Sequence, residues 1–194
     1  MTPSPTSDKP WSPWHQRIHE KLQNFPNLLP KEACILIAIS GGQDSMALAK
    51  IILDLRRIYK WKVFIWNGDH GWHSKSQIFQ DEIKNWYKDK DKNIIFFSDQ
   101  TIKEKTRSEE KARDWRYQCL IKQSEKIMSQ NSSQYTYILT GHTGTDSAET
   151  LILNLSRGTD LHGLCSIPES RDLTTNIKLV RPLLSFSREE TAQI

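Results

Sequence analysis

The chain has 194 residues, the length of one domain that can bury a sizeable core. Its content of 37% hydrophobic and 26% charged residues is that of an ordinary soluble protein, and no apolar run reaches membrane-spanning length. The net charge of +4 permits a nucleic-acid partner without requiring one. The three cysteines form no CxxC pair and the N-terminus has no signal-peptide core, so we expect a cytoplasmic protein without membrane contact.

The first ten residues differ in composition from the remainder. Met1–Pro10 is rich in proline, serine and threonine, which predicts a disordered tail, and residues 11–194 are predicted to form the folded domain. Trp14, Ile18 and Leu22 recur at steps of four, which indicates a first helix with one apolar face.

A strand, a glycine turn and a helix then follow one another directly. Ile35–Ile39 is apolar at every position, as in a parallel strand covered on both faces. Ser40–Gly42 forms an abrupt turn, and a helix predicted to begin at Asp44 or Ser45 points its free N–H groups back at that turn. This arrangement predicts an anion site, most naturally for phosphate, although a turn that only caps the helix has the same pattern.

The next strand, Lys62–Trp66, is followed by a polar segment that contains Asp69 and His70. Open α/β sheets bind ligands just past the ends of their strands, which makes this segment a candidate part of a site. Ordinary turn chemistry is the alternative. A helix over Ser76–Lys88 and a third strand over Ile94–Ser98 are predicted next.

A long helix is predicted to open at Ser108 and carries two arginines near its N-terminus. Arg113 and Arg116 lie close to the edge of its inward stripe. Such arginines are usually solvated or ion-paired at the surface. They could instead reach over the sheet edge to phosphates, where a planar guanidinium binds two oxygens.

Tyr135–Thr140 is predicted as the fourth strand, and a helix that ends at Gly158 is expected to turn Ile152 and Leu155 inward. Asp146 and Glu149 lie at the start of this helix. Their spacing of three fits a helix capping box. The same carboxylates could hold Mg²⁺, which prefers hard oxygen ligands and retains waters beside phosphates.

The remaining chain completes the predicted fold. Glu169–Asn176 is predicted as a loop, Lys178–Pro182 as a fifth strand, and a last helix begins at Ser187. Strands that alternate with helices predict an α/β fold with a doubly wound, mostly parallel five-stranded sheet and helices on both faces. If the winding reverses between the first and fourth strands, Ser40–Ser45 and Gly141–Glu149 line one crevice.

The segment Ser40-Gly41-Gly42-Gln43-Asp44-Ser45 resembles the pyrophosphate-binding loop, Ser-Gly-Gly-x-Asp-Ser, of the ATP-pyrophosphatase (PP-loop) superfamily. The resemblance implies cleavage of ATP between its α and β phosphates and transfer of AMP to an oxygen. It also implies the adenine-nucleotide α-hydrolase-like fold.

Further motifs narrow the resemblance to tRNA(Ile)-lysidine synthetases and cover the chain from about residue 11 to its end. They are Asp69-His70-Gly71, the Glu-x-x-Ala-Arg-x-x-Arg-Tyr pattern of Glu109–Tyr117, the Thr-Gly-His pattern of Thr140–Thr150, Arg157-Gly158, Gly163-Leu164, Arg181–Leu184 and Arg188–Glu190. The resemblance implies that ATP and Mg²⁺ adenylate the wobble cytidine of an isoleucine tRNA with a CAU anticodon. Free L-lysine then displaces AMP, which changes decoding from AUG to AUA; a homodimer is left open.

The resemblance also implies roles for individual residues. ATP would be bound by Ser40, Gly41, Gly42, Gln43, Asp44, Ser45, Asp69, His70, Gly141 and His142. The catalytic set would be Asp44, Asp146, Glu149, Arg113 and Arg116, with Asp44 and Asp146 as the Mg²⁺ ligands.

Two departures from the family pattern bear on these expectations. The family commonly has paired aspartates after its histidine, whereas this chain has Thr145-Asp146. The family also continues beyond the position of Ile194, so we expect a catalytic domain truncated at its C-terminus. The alternatives are another PP-loop tRNA-modifying enzyme, such as a thiolase, and an ATP-binding remnant without activity.

Overall fold

The computed structural model describes residues 11–69, 81–85, 87, 94–101, 108–156, 158 and 167–194. Its strands are β1 (Cys34–Ala38), β2 (Lys62–Asp69), β3 (Ile95–Gln100), β4 (Thr136–Leu139), β5 (Ser170–Thr174) and β6 (Ile177–Val180). Its helices are α1 (Pro13–Asn24), α2 (Gln43–Tyr59), α3 (Glu109–Asn131), α4 (Gly144–Ser156), a 3₁₀ turn (Pro182–Ser185) and α5 (Arg188–Thr191). The predicted tail, His70 and most of the predicted helix Ser76–Lys88 lie outside the described residues, although residues 81–85 are helical.

The strands form one sheet in the order β3-β2-β1-β4-β6-β5. All neighbouring pairs are parallel except β5 with β6. The winding reverses between β1 and β4, which meets the condition for a crevice lined by Ser40–Ser45 and Gly141–Glu149, so the ends of these two strands lie side by side.

Helices cover both faces of the sheet, which confirms the predicted doubly wound arrangement. On one face, Ile35 and Ile37 of β1 pack with Ile51 and Leu55 of α2. On the other face, Leu36 of β1 belongs to a second buried cluster, which is completed by residues of α3 and the neighbouring strands. Because successive strand residues point to opposite faces, the uninterrupted apolar run of β1 fills both cores.

The predicted count of five strands is wrong, because the described residues form a sheet of six strands. Ser170–Thr174, within the predicted loop Glu169–Asn176, pairs antiparallel with β6 and forms the edge of the sheet. This strand is polar and carries Arg171 and Asp172. Edge strands tolerate such side chains, so this one has little of the apolar signal by which strands are recognised.

Two local expectations are also corrected. Strand β2 continues through Asp69, so Asn67–Asp69 is a strand end and not a turn. The buried Asn67 side chain donates to the carbonyl oxygen of Ile39 at 2.7 Å, which ties β2 to the residue just before the glycine turn. In α4, Ile152 and Leu155 are exposed, because this helix packs against the 3₁₀ turn and buries none of its residues.

Within the described residues, no helix is both long enough and apolar enough to span a bilayer.

Candidate active site

The hydroxyl groups of Ser40 and Ser45 form hydrogen bonds with the backbone of the glycine turn after β1. Gly41 has φ +81°, a left-handed conformation that favours glycine. Ser40 Oγ accepts from the N–H of Gly42 at 3.3 Å, and Ser45 Oγ donates to the carbonyl oxygen of Gly42 at 2.8 Å. The turn leads directly into α2, and the first N–H groups of a helix have no partner within it, which makes this helix start a candidate anion site.

The turn after β4 is pressed directly against this loop. A Cβ atom on Gly141 would stand 2.9 Å from the backbone nitrogen of Ser45 and 3.0 Å from the carbonyl oxygen of Asp44. Only a glycine allows two backbones to approach this closely without a shift. The two polar loops that the sequence predicts to line one crevice are thus in contact.

Asp146 is fixed at the start of α4 by Thr143. Its Oδ2 accepts from the Thr143 N–H at 2.7 Å and from the Thr143 hydroxyl at 2.9 Å. Burial pushes the pKa of Asp146 up, but the bonds from Thr143 and the charges of Arg188 and His142 outweigh it and hold that pKa below its usual range. The carboxylate is therefore charged at neutral pH.

This arrangement corrects the capping-box alternative. Asp146 reaches back to the N–H of Thr143 just before the helix, so the capping partner of Asp146 is Thr143 and not Glu149. Glu149 lies one turn further along, where its Oε1 accepts from Arg188 Nη1 at 3.3 Å.

The three acids of the predicted catalytic set meet at one arginine from the last helix. Arg188 Nη2 donates to Asp146 Oδ1 at 2.8 Å, and Arg188 Nε lies 3.7 Å from Asp44 Oδ2. The hydroxyl of Thr191 also contacts the Asp44 carboxylate. Sequence reasoning gave neither Arg188 nor Thr191 a role.

Asp44 and Asp146 lie in the first turns of α2 and α4, the helices that follow β1 and β4, and contact one guanidinium, so both face the same space. No cluster of three or more metal-ligating side chains stands ready for an ion among the described residues. Mg²⁺ is commonly held by one or two carboxylates with waters and phosphates, and the two aspartates fit that requirement.

Positive charge collects beside His142. Arg181, which is buried, and the two predicted arginines Arg113 and Arg116 all act on this ring. The Arg113 guanidinium lies 5.6 Å from the ring centre of Tyr117. The charges of Arg113 and Arg116 therefore act on His142, on the loop after β4.

Asp69 is buried at the end of β2, at the same edge of the sheet as the glycine turn. Its carboxylate accepts from Gln100 on β3 at 3.1 Å. This bond anchors Asp69 to the neighbouring strand, so its predicted contact with a nucleotide stays a prediction.

His142 predicts a pH dependence of stability. Burial above all, then the charge of Arg181, lowers its pKa from the ordinary 6.5. As the pH falls below about 6.5, His142 becomes protonated in the unfolded chain but stays neutral in the folded chain. The free energy of unfolding should therefore fall on acidification. Urea denaturation at pH 7.5 and 5.5 should show a smaller loss for His142→Gln than for the wild type. If the free energy of unfolding falls equally in both proteins, His142 is not the source of the pH dependence.

Comparison with known proteins agrees with this architecture. The PP-loop domain family model matches residues 14–194. A tRNA(Ile)-lysidine synthase of Prochlorococcus marinus is 50% identical over 195 aligned residues, which cover 100% of this chain and 57% of that protein. A chloroplastic tRNA(Ile)-lysidine synthase of Pyropia yezoensis is 39% identical and is matched over 86% of this chain and 48% of its own length.

Among solved structures, the U34-tRNA thiolase NcsA of Methanococcus maripaludis superposes with a TM-score of 0.63. It covers 92% of this chain and 60% of the thiolase, at 15% sequence identity, so this likeness concerns the fold alone. The chain spans just over half the length of the Prochlorococcus relative. The loop, the sheet order and the family match together establish that this chain belongs to the PP-loop domain family.

Proposed function

We propose that this chain is the ATP-using domain of a tRNA(Ile)-lysidine synthetase. The observation that carries the proposal is the contact between the Ser40–Ser45 loop and the Gly141–Glu149 segment, which brings the glycine turn, a candidate phosphate site, beside a group of carboxylates. The similarity to lysidine synthases over the whole chain supports the choice of reaction. Membership of the PP-loop family indicates that the nucleotide is ATP.

The proposed reaction has two steps. In the first, the carbonyl oxygen at position 2 of the wobble cytidine attacks the α-phosphorus of ATP, and pyrophosphate leaves. In the second step, the ε-amine of free lysine attacks C2, the ring carbon that carries this oxygen. The C2–O bond then breaks as AMP leaves. The first step makes AMP the leaving group in place of an oxide or hydroxide, which would leave poorly.

The residues of the crevice divide this work. The N–H groups at the start of α2 would hold the pyrophosphate as its charge grows. Asp44 and Asp146 would hold Mg²⁺, which supplies Lewis-acid neutralisation of phosphate charge when bound. Glu149 would receive the proton that the lysine ammonium must lose before it can attack. Arg113 and Arg116 would bind phosphates of ATP or of the tRNA.

The thiolase alternative needs a reactive sulfur, and the two described cysteines do not provide one. Cys34 is buried in β1, and burial, with the charge of Asp99, raises the pKa of Cys119 to about 11. A thiol with such a pKa is almost fully protonated at neutral pH and is a poor nucleophile. Cys165 lies outside the described residues.

The proposal predicts adenylation that depends on the wobble base. With isoleucine tRNA transcript of CAU anticodon, ATP and labelled lysine, we expect pyrophosphate release and one lysine joined per tRNA. The matched control is the same transcript with adenosine at the wobble position, because adenosine has no carbonyl oxygen at position 2. Equal pyrophosphate release with both transcripts would refute the assignment, and a product that gains sulfur would favour the thiolase.

The chain's relatives are nearly twice its length, so the assay should also include the chain fused to the remaining part of such a relative. A cytoplasmic location and a homodimer remain predictions, and the Pyropia yezoensis relative is chloroplastic.

A further inference from the structure

The side chain of Arg188 lies among three carboxylates, those of Asp44, Asp146 and Glu149, which are called the acidic group below. Asp44 belongs to the first turn of α2, while Asp146 and Glu149 belong to the first two turns of α4. The guanidinium contacts all three carboxylates, with closest atom pairs of 3.7, 2.8 and 3.3 Å respectively. Within the described part of the chain, each of these acids depends on the same cation.

The backbone of Arg188 is anchored separately from its side chain. Gln43 Nε2 donates to the Arg188 carbonyl oxygen at 2.6 Å, and the Arg188 N–H donates to Thr145 Oγ1 at 3.1 Å. Ser187 and Glu190 cap the helix in a mutual pair, and Arg17 of α1 binds Glu190 at 2.8 Å. The guanidinium can therefore leave the acids while α5 stays docked on the loop.

The Thr145 contact also gives a structural role to the position where the chain departs from its family pattern. A hydroxyl at this position accepts from the first N–H of α5 and carries no charge of its own. The acidic group thus contains three carboxylates around one guanidinium.

The ion pairs that hold the guanidinium are of the exchangeable kind. The Arg188 side chain is 48% exposed, and ion pairs at such exposure are weak because water screens them. A divalent ion carries twice the charge of a guanidinium and binds carboxylate oxygens directly at shorter range. With Arg188 in place, the acids are spread around its planar head and offer no ready metal cluster among the described residues.

We propose that Arg188 is a resident counter-ion of the crevice, which occupies the cation position in the nucleotide-free protein and is displaced when the cation that accompanies ATP arrives. It is a positioning residue: it keeps the mutually repelling carboxylates in place until the ligand replaces its charge. This inference rests on the proposed function, because it takes Asp44 and Asp146 to be the cation ligands of that reaction.

The test measures Mn²⁺ binding by electron paramagnetic resonance on the protein without nucleotide, tRNA or lysine. Removal of the resident charge in Arg188→Gln should tighten Mn²⁺ binding about two- to fivefold, as expected when one partly exposed competing cation is lost. Arg17→Gln is the matched control, because Arg17 contacts Glu190 of the same helix and is not among the partners of the three acids. This control should bind Mn²⁺ as the wild type does.

Two further measurements make the result decisive. The double variant Arg188→Gln with Asp146→Asn should lose the gained affinity; a gain that persists would place the ion elsewhere and overturn the proposal. Equal Mn²⁺ affinity in wild type and Arg188→Gln would overturn it as well.

If Arg188→Gln does not fold, a second measurement uses the wild-type protein. The Nε–H signal of Arg188 in its nuclear magnetic resonance spectrum should shift when Mg²⁺ and ATP are added, and an unmoved signal counts against displacement. Because the Mn²⁺ assay contains no tRNA or lysine, its failure is distinguishable from failure of the adenylation assay.

Discussion

Replacing Gly41 by valine is expected to abolish ATP binding while the sheet stays folded. Gly41 has φ +81°, and a residue with a Cβ atom pays about 1–2 kcal/mol in the left-handed region, with more for a β-branched side chain. The turn should relieve this strain by moving, which withdraws N–H groups from the phosphates. Charge-assisted hydrogen bonds contribute about 1.5–3 kcal/mol each, so the loss of two lowers affinity by about 100-fold or more. Isothermal titration with ATP measures the effect.

A second glycine provides the matched control. Gly158, just beyond α4, has φ +67°, and a Cβ atom added there would meet no atom of the described residues within 4 Å. Gly158→Val therefore introduces similar backbone strain outside the crevice. Both variants should lose similar thermal stability, and only Gly41→Val should lose ATP. Retained ATP affinity in Gly41→Val would remove the basis for assigning this loop to the phosphates.

The elements around the loop could be predicted because their signals are local. The apolar run Ile35–Ile39 and the glycines after it specify a buried strand and a turn within a few residues. Strands that alternate with helices predict a doubly wound sheet, but the place where the winding reverses, between β1 and β4, comes from the structure. The meeting of the Ser40–Ser45 and Gly141–Glu149 segments could therefore be predicted only on the condition that the winding reverses there.

The elements that were missed depend on partners that the sequence does not name. Ile152 and Leu155 have the spacing of an inward face, but spacing does not reveal that both are exposed, nor that α4 packs against the 3₁₀ turn and the residue after it, where Gly144 N–H donates to the Phe186 carbonyl oxygen at 2.7 Å. Strand β5 is not recognisable from the sequence, because it lies at the edge of the sheet. It pairs only with β6 through backbone hydrogen bonds, so its side chains can be polar.

Arg188 illustrates the same limit within the site. The capping pair of Ser187 with Glu190 marks the start of α5, and this pair could be recognised from its spacing. Nothing in that local pattern indicates that the side chain of Arg188 contacts Asp146, which lies 42 residues earlier in the chain. That contact is created by the way in which α5 docks on the loops after β1 and β4.

Asp146→Asn is expected to stop adenylation with little loss of fold. The side-chain oxygen of asparagine can still accept from the Thr143 N–H and hydroxyl, so the start of α4 should persist. The amide nitrogen then faces Arg188, where a carboxylate oxygen now accepts at 2.8 Å, and it can neither pair with a cation nor bind a metal ion. Loss of one preorganised charge at a reacting phosphate costs about 100- to 1000-fold in rate. Pyrophosphate release in the presence of the tRNA transcript measures this loss.

The control for Asp146→Asn removes a neighbouring charge that is outside the acidic group. Glu189 lies beside Arg188 on α5 and is exposed, so Glu189→Gln changes the net charge by the same amount without altering the group that Arg188 holds. Its rate should stay within about twofold of the wild type, as is usual for an exposed surface charge. Thermal unfolding of all three proteins separates lost catalysis from lost fold. If Asp146→Asn releases pyrophosphate as fast as Glu189→Gln, then Asp146 carries no charge that the reaction needs, and the carboxylates at this crevice serve only to hold α5 in place.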